Sequence, residues 1–115
     1  MVLPEQGHLL RIFIGESDKY NGQPLYEWIV RKAREVGLAG STVIRGIEGF
    51  GADSRMHTAK LLRLSEDLPI IIEIVDTLEK IDAFIPLIDA VIEEGLVTTE
   101  KVNIRFYRSS IPAKS

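Results

Sequence analysis

Hydrophobic residues alternate with polar ones in the first part of the chain and then recur at helical spacing. Leu9–Ile14 places alternate apolar side chains on one side, which predicts a first β-strand. The turn formers that follow predict a loop up to Gly22, and Pro24 then occupies a typical first helical position. We expect this helix to end at Gly37, a natural left-handed cap. Its apolar side consists of Leu25, Ile29, Ala33 and Val36.

The middle of the chain predicts two strands separated by a long loop. Ser41–Arg45 indicates a second strand, which the glycines of Gly46–Gly51 break. The polar stretch at about 52–65 predicts a long, flexible loop with a short strand-like return through Leu61–Leu64. Pro69–Val75 is almost continuously apolar, which predicts a central strand of the sheet.

A second helix and a last strand complete the pattern. The helix is predicted to start at Asp76, which forms a capping box with Glu79, and to close at Gly95. Pro86 lies inside it and costs about 3 kcal/mol in a helix interior, so we expect a kink or a late start there. Alternation along Val102–Arg108 predicts the last strand. The apolar side of the helix consists of Ile81, Phe84, Ile85, Ile88, Val91 and Ile92.

The predicted elements follow the order β-α-β-β-α-β. This order predicts a ferredoxin-like α+β fold, in which two helices cover one face of a four-stranded antiparallel sheet. A chain of 115 residues is long enough to bury one core and too short for a second domain. We therefore expect residues 1–115 to form a single domain.

The sheet face away from the helices is predicted to be too apolar for open solvent. One interpretation is a monomer with an apolar outer face; the better one is association through that face, with its charges paired at or beside the interfaces. In this prediction Ile12, Ile72, Ile104 and Phe106 face the helices. The open face carries Leu9, Arg11, Phe13, Val43, Arg45, Ile71, Glu73, Val75, Asn103, Arg105 and Tyr107.

Charge and composition narrow the classes of function. The 14 Lys and Arg residues against 17 Asp and Glu residues give a net charge of -3, which argues against nucleic acid or an anionic membrane as a partner. The absence of cysteine excludes disulfides, thiolate metal sites and cysteine nucleophiles. The N-terminus lacks a leader pattern and no stretch reaches the roughly 18 apolar residues of a spanning helix, so we expect a soluble cytoplasmic protein.

The glycine cluster Gly46–Gly51 is a candidate anion site. Glycine leaves backbone N–H groups unobstructed, and the cluster opens onto a loop with basic and hydroxyl side chains, namely Ser54, Arg55, His57, Thr58 and Lys60. Glycines beside a strand end more often form a bulge or a turn. No Gly-Lys-Ser/Thr follows and no helix starts after the last glycine, which excludes a Walker loop and a Rossmann fingerprint.

Other chemically capable residues are poor candidates for catalysis or metal binding. His8 and His57 each lack a second imidazole or thiol at ligand spacing, so we expect no metal site. Glu16 and Asp18 could hold a cation or a ribose hydroxyl, but turn carboxylates are usually only solvated. A triad can be written from three residues of the long loop, Asp53, Ser54 and His57, but nothing holds them in register. We therefore expect no enzyme activity.

Several stretches of the sequence resemble the PII (GlnB-like) signalling family. Val36–Val43 is similar to the run that ends the first helix of that family, and Gly49–Gly51 to the Gly-Phe-Gly at the base of its long loop. Leu68–Val75 resembles its returning strand. A closer resemblance, over nearly the whole chain, is to the PII-like group called domain of unknown function 190. It is carried by Ile14-Gly15-Glu16, Gly22-x-Pro24-Leu25-Tyr26, Arg45-Gly46-Ile47, Met56-His57-Thr58 and Leu62-Arg63-Leu64-Ser65.

The resemblance implies a regulatory homotrimer that binds an adenine nucleotide (AMP, ADP or ATP) between subunits and signals through its long loop. It also makes a membrane transporter or channel a candidate for the regulated target. By position, the resemblance assigns Gly49, Phe50 and Gly51 to the loop base beside the nucleotide, Val75 to a strand near the base, and Arg105 to the phosphates. Since an anion needs converging N–H donors and guanidinium groups, we add Arg45, Gly46 and Arg55.

Two departures from PII limit what the resemblance implies. The glycine-rich phosphate loop before the last PII strand is replaced here by Glu93–Thr99, so AMP or ADP is at least as good a candidate as ATP. The chain between Gly51 and Leu68 contains no tyrosine, which puts uridylylation of the PII kind out of reach.

Two rival functions come from other classes. An acylphosphatase-like enzyme shares the fold, but it needs a phosphate-cradling loop after the first strand and an arginine at the start of the first helix. This chain has acidic Glu16–Asp18 in that region. The alternative that we retain is a protein-interaction module of the same fold, which acts without a small ligand.

Overall fold

A four-stranded antiparallel sheet carries two helices on one side. The computed structural model describes residues 3–50, 56–58 and 67–110. The elements are β1 (Gln6–Gly15), β2 (Lys19–Tyr20), β3 (Gln23–Pro24), α1 (Leu25–Glu35), β4 (Thr42–Arg45), β5 (Glu48–Phe50), β6 (Met56–Thr58), β7 (Pro69–Asp76), α2 (Leu78–Asp89) and β8 (Leu96–Asn103). The main sheet has the strand order β4-β7-β1-β8. The predicted ferredoxin-like α+β fold is confirmed.

The hydrophobic core lies between the main sheet and the helices. Alternate residues of β1 and β7 enter it, and Leu10, Ile12 and Ile72 have no exposed surface. The helices contribute Leu25, Ile29, Ala33, Ile81, Phe84 and Ile88, which are buried as their helical spacing predicts. Each fully buried Leu, Ile or Phe side chain stabilises the fold by roughly 1.5–3 kcal/mol. The same alternation leaves the other face of the sheet without a helical cover.

The two ends of α1 differ slightly from the prediction. Pro24 is the N-cap rather than the first helical residue, and the helix begins at Leu25. Gly37 has φ +82°, which confirms the left-handed cap. Val36 is the C-cap and is 45% exposed, because the chain turns away from the core there. The prediction that Val36 packs in the core is wrong.

The start of α2 corrects the predicted capping box. Thr77 is the N-cap, and its hydroxyl accepts a hydrogen bond from the N–H of Lys80 at 3.3 Å. Asp76 is the last residue of β7 and is fully buried. Its carboxylate accepts the N–H of Ala39 at 2.8 Å and that of Thr77 at 2.7 Å. Asp76 therefore ties the loop after α1 to the end of β7, and it forms no box with Glu79.

Pro86 does not delay the start of α2. The helix begins at Leu78, so the predicted late start is wrong, and it ends well before Gly95. Proline lacks an N–H and leaves one carbonyl of the preceding turn without its usual donor. Its own carbonyl still accepts the N–H of Ala90 at 3.3 Å, which continues the hydrogen-bonding past the end of the helix. Neither described helix has the length and apolar character needed to span a membrane.

The last strand occupies an earlier segment than its alternation predicts. β8 pairs with β1 until Gln6 meets Asn103, and one further bond joins the N–H of Ile104 to the carbonyl of Glu5 at 2.5 Å. The ladder ends there because β1 itself begins at Gln6. Most of the predicted strand, residues 104–108, therefore lies beyond the sheet, and Glu93–Thr99 is partly strand rather than loop.

Two small hairpins stand apart from the main sheet. β2 and β3 pair within the loop predicted before α1, and Asn21 and Gly22 between them have φ of 51° and 77°. β5 and β6 pair on either side of the last glycine of the cluster. The predicted return through Leu61–Leu64 and most of the loop at about 52–65 lie outside the described residues. The sequence pattern did not indicate either hairpin.

The register of β4 reverses the faces predicted for its residues. Cross-strand partners share a face of a sheet. Val43 pairs with Ile72, which is buried against the helices, so Val43 and Arg45 lie on the helix side. Ile44 pairs with Ile71 and lies on the open face instead. The placement of Val43 and Arg45 on the open face is therefore wrong.

Candidate functional site

The glycines after β4 pack against the segment through which the chain returns to the sheet. The N–H of Gly46 donates to the carbonyl of Pro69 at 2.7 Å. A Cβ atom on Gly46 would lie 2.9 Å from Cγ of Pro69, and one on Gly49 would lie 3.3 Å from it. Side chains here would push the two segments apart. We name the contacting segments, residues 46–50 and 67–69, the loop base.

Arg45 borders the loop base and is paired with an acidic residue from another turn. Nη2 of Arg45 lies 2.9 Å from Oε1 of Glu16. The Arg45 side chain is 58% exposed and that of Glu16 only 23%, so the guanidinium is still open to a ligand. Asp18 in the same turn accepts the N–H of Gly15 at 2.9 Å. Both turn acids, expected to be merely solvated, therefore have structural partners.

The turn that carries Glu16, between β1 and β2, is fastened to the end of the loop base. The N–H of Glu16 donates to the carbonyl of Leu68 at 2.8 Å. The N–H of Ser17 donates to Oδ1 of Asp67 at 3.1 Å. Three segments that are far apart in sequence, namely this turn and the two strands of chain that form the loop base, consequently meet in one place.

Two large apolar side chains of the loop base are exposed. Ile47 is 77% exposed and Phe50, a predicted site residue, is 68% exposed. Apolar side chains with so little cover are available to a ligand or to a protein partner. Two other predicted site residues, Gly51 and Arg55, lie outside the described residues.

Val75 and Arg105 lie at the opposite end of the sheet from the loop base. Arg45 pairs with Ile70 of β7. Val75 lies five residues further along the same strand, about 17 Å away at the usual rise of a β-strand. Arg105 follows the end of β8, at the same end of the sheet as Val75. Within one chain, the predicted site residues therefore form two separate groups.

The segment after β8 is basic and aromatic. The hydroxyl of Tyr107 donates to the carbonyl of Ala39 at 2.7 Å, which fastens the segment to the loop after α1. The guanidinium of Arg108 lies 4.3 Å from the centre of the Phe106 ring, a cation–π contact. Phe106 is 69% exposed, so its predicted position against the helices is wrong. Asn103, Arg105 and Tyr107 were predicted on the open face; Asn103 pairs on the helix side, and the other two lie beyond the sheet.

A charged cluster occupies the centre of the open sheet face. Nε of Arg11 lies 2.8 Å from Oε2 of Glu73, and its Nη1 lies 3.0 Å from Oε1 of Glu100. The hydrogen bond to Glu73 raises the pKa of Arg11 further above its ordinary value, so the guanidinium stays charged. Glu100 escaped the sequence reasoning because β8 was placed too late. The apolar residues around the cluster are Leu9, Phe13, Ile44, Ile71, Val75 and Leu96.

A cavity of about 230 Å³ between α2 and β8 is a poor match for a nucleotide. Its lining includes Ile85, Ile88 and Val97 together with the carboxylates of Asp89 and Glu93, and no basic side chain. Sites for small ligands usually measure about 300–1,000 Å³, and phosphate requires cationic or N–H donors. Among the residues that the structure describes, no three His, Cys, Asp or Glu side chains are grouped to hold a metal ion.

Comparison with solved structures defines the class of fold. CPII from Thiomonas intermedia K12 is a nitrogen regulatory PII-like protein solved with ADP, AMP and bicarbonate. It matches with a TM-score of 0.60 over 86% of this chain and 88% of its own, at 19% identity. A second CPII structure, with ADP and bicarbonate, matches with a TM-score of 0.58 over the same shares of the two chains, also at 19% identity. At this identity the likeness shows the fold alone, which is PII-like.

Comparison of sequences shows the family. The model of DUF190, a family described as an uncharacterized ACR, matches residues 7–104. A UPF0166 protein of Aquifex aeolicus (strain VF5) is 40% identical over 96 residues, which cover 84% of this chain and 90% of the relative. A UPF0166 protein of Methanocaldococcus jannaschii is 37% identical over 90 residues, which cover 77% of this chain and 82% of the relative. The chain belongs to the DUF190 family, as the sequence resemblance implies.

Proposed function

We propose that this chain is a PII-like regulatory protein that binds an adenine nucleotide in the clefts between subunits of a homotrimer. The long loop that starts at the loop base communicates the bound state to a protein target, and the chain catalyses no reaction. The ligand class is supported by the likeness to CPII, which was solved with ADP and AMP. A membrane transporter or channel is our candidate for the target.

The observation that carries this proposal is the arrangement of groups at the loop base. Arg45 offers an accessible guanidinium, whose planar fork suits a phosphate. Gly46 and Gly49 let the two segments of the loop base pack closely together beside Arg45. Phe50 presents an exposed ring on which an adenine base can stack. These features together suit a ligand that is anionic at one end and aromatic at the other.

The separation of the predicted residues supports a site that two subunits share. Arg45 and the loop base lie at one end of the sheet, whereas Val75 and Arg105 lie at the other. Residues about 17 Å apart along one strand do not converge on the same phosphate group. If one nucleotide contacts both groups, they belong to neighbouring subunits.

The open sheet face supports trimer formation. Half-buried apolar residues such as Leu9, Phe13 and Ile71 surround the Arg11 ion pairs there. Apolar side chains grouped on one sheet face favour association over exposure to water. Because Arg11 is already paired with Glu73 and Glu100, the charges enter such an interface with their partners.

Calorimetric titration tests the site directly. AMP, ADP and ATP are titrated into the wild type, Arg45→Ala and Arg105→Ala, with Arg34→Ala as the control. Arg34 is an exposed arginine in the last turn of α1, so its removal changes the net charge equally without touching the proposed site. Loss of a charge-assisted contact costs about 1.5–3 kcal/mol, so we expect roughly ten- to a hundredfold weaker binding in the two site variants.

The assembly state of each variant decides how the titration is interpreted. Light scattering should show three subunits for the wild type and all three variants, since none of these arginines lies at the centre of the open face. A wild-type trimer that binds no adenine nucleotide below millimolar concentration contradicts the nucleotide proposal. Site variants that bind as tightly as Arg34→Ala would show that the site lies elsewhere.

A protein-interaction module that needs no small ligand is the second candidate function. The exposure of Ile47 and Phe50 favours it, because two bare apolar side chains at the loop base also suit a protein partner. This function predicts that a target binds equally well with and without AMP, ADP or ATP. A target whose binding depends on the nucleotide supports the first proposal instead.

A further inference from the structure

The contacts of Glu16 connect the proposed phosphate position to both ends of the loop base. Its carboxylate forms an ion pair with Arg45 at 2.9 Å, immediately before the chain enters the loop base. Its N–H donates a hydrogen bond to the carbonyl of Leu68 at 2.8 Å, where the chain returns. The N–H of Ser17 donates to the carboxylate of Asp67 at 3.1 Å. One turn therefore contacts both the entry and the exit of the loop.

The carboxylate of Glu16 and a phosphate group are both binding partners for the guanidinium of Arg45. Both are planar or tetrahedral oxyanions that accept charge-assisted hydrogen bonds from the guanidinium fork. The Nη2 atom of Arg45 already donates to Glu16. An incoming phosphate must displace this carboxylate or bind beside it, and a phosphate placed beside it meets the repulsion of a like charge.

On the basis of the proposed function, we infer that Glu16 is a specificity-determining residue that competes with the ligand phosphate for Arg45. The ion pair keeps Arg45 occupied while the site is empty, and a bound nucleotide replaces it. The carboxylate disfavours ligands in proportion to their negative charge, so it penalises ATP more than ADP and ADP more than AMP. This preference comes from the chain's own side chain at the phosphate end of the site.

Replacement of the Glu16–Arg45 ion pair by a bound nucleotide also affects the exit of the loop. When the Glu16 side chain leaves Arg45, the turn between β1 and β2 loses its link to the loop entry and keeps its bonds to Leu68 and Asp67 at the loop exit. Ligand binding at the loop entry is thereby communicated to the loop exit through a turn that lies outside the loop. Glu16 contributes to the signal as well as to the affinity.

The test is Glu16→Gln, which keeps the shape of the side chain and removes its charge. Adenosine, AMP, ADP and ATP are titrated into the wild type, Glu16→Gln and the control Asp82→Asn. Asp82 carries the same charge on an exposed position of α2, outside the loop base, so the control measures the general effect of one less negative charge. An exposed ion pair contributes about 0.2–1 kcal/mol, so we expect ADP to bind about 1.4- to fivefold more tightly to Glu16→Gln. The increase in affinity should be absent for adenosine. Among the three nucleotides it should be smallest for AMP and largest for ATP.

A double-mutant cycle shows whether the gain depends on Arg45. In the Arg45→Ala background, adding Glu16→Gln should change nucleotide affinity no more than Asp82→Asn does. An equal gain with and without Arg45 would overturn the inference, as would an affinity of Glu16→Gln equal to that of the wild type. In either case wild-type nucleotide binding would leave the proposed function intact. If the wild type binds no nucleotide, it is the proposed function that fails.

A second measurement uses the wild-type protein and needs no variant. Hydrogen exchange of the Glu16 and Ser17 amides is followed with and without saturating ADP. Displacement of the carboxylate should change the protection of these two amides, because both bond to the loop base. If the protection of these two amides stays unchanged while other residues respond to ADP, the proposed displacement of the Glu16 carboxylate from Arg45 is contradicted.

Discussion

Among the residues that the structure describes, Asp76 is the buried polar residue. Its side chain has no exposed surface, and each carboxylate oxygen accepts a backbone N–H. Oδ2 accepts from Ala39 at 2.8 Å, and Oδ1 accepts from Thr77 at 2.7 Å. The two bonds hold the loop after α1 and the start of α2 against the end of β7. We predict that Asp76→Ala destabilises the protein strongly and Asp76→Asn about half as much.

The magnitude follows from the two hydrogen bonds. A hydrogen bond to a charged group contributes about 1.5–3 kcal/mol, and alanine removes both acceptors, so we expect a loss of about 3–6 kcal/mol. Asparagine keeps one oxygen and turns an NH₂ group towards the other backbone donor. One bond is then lost and the other kept, so Asp76→Asn should cost about 1.5–3 kcal/mol.

Urea unfolding followed by the fluorescence of Trp28, the only tryptophan, measures these losses. All samples must have the same subunit concentration, because association makes the midpoint depend on concentration. Asp82→Asn is the matched control, since Asp82 is exposed on α2 and should change the free energy of unfolding by less than about 0.5 kcal/mol. The reasoning is refuted if Asp76→Ala also stays within about 0.5 kcal/mol of the wild type.

Two further predictions concern the open face and the turn before β8. Leu96 is 56% exposed and pairs with Phe13 on the open face, so Leu96→Glu should abolish the trimer in light scattering. Its circular dichroism spectrum should stay that of the wild type. The control Leu78→Glu, on an exposed position of α2, should leave the trimer intact. If Leu96→Glu stays trimeric, the open face is not the interface. A Cβ atom on Gly95 would lie 2.6 Å from the carbonyl oxygen of Phe13, so Gly95→Ala should lower the urea midpoint. The loss in the free energy of unfolding should exceed the roughly 0.5 kcal/mol typical of surface substitutions. An unchanged midpoint would show that the backbone there can move aside.

The sequence predicted the parts of the fold whose signal is local. β1 alternates because one of its faces is buried, β7 is marked by an almost continuous apolar run, and α1 shows the regular spacing of an amphipathic helix. The bounds of β8 could not be predicted in this way. It is an edge strand whose residues, apart from Val102, are exposed on both faces, so its sequence carries no burial pattern. The segment Ile104–Tyr107 alternates, but it lies beyond the start of β1, and within the described part of the chain its pairing stops after the bond from Ile104 to Glu5.

The candidate site was predictable only in part for the same reason. Glycine and arginine at the loop base carry their chemistry in their residue types, so Gly46, Gly49 and Arg45 could be named from the sequence. Glu16 looked like any turn carboxylate, because nothing near it in sequence identifies its partner. The separation of Val75 and Arg105 from the loop base was likewise hidden, since it depends on which end of the sheet each residue reaches.

The sequence by itself determined the order of the elements, the buried faces of the inner strands and helices, and the family resemblance. These depend on each residue and on neighbours within a few positions. Only the tertiary structure decided the register of β4, the end of β8 and the partners of Asp76 and Glu16. Asp76 meets Ala39 across 37 residues and Glu16 meets Arg45 across 29. Such contacts depend on how the strands pair in space, which no local pattern of hydrophobic and polar residues records.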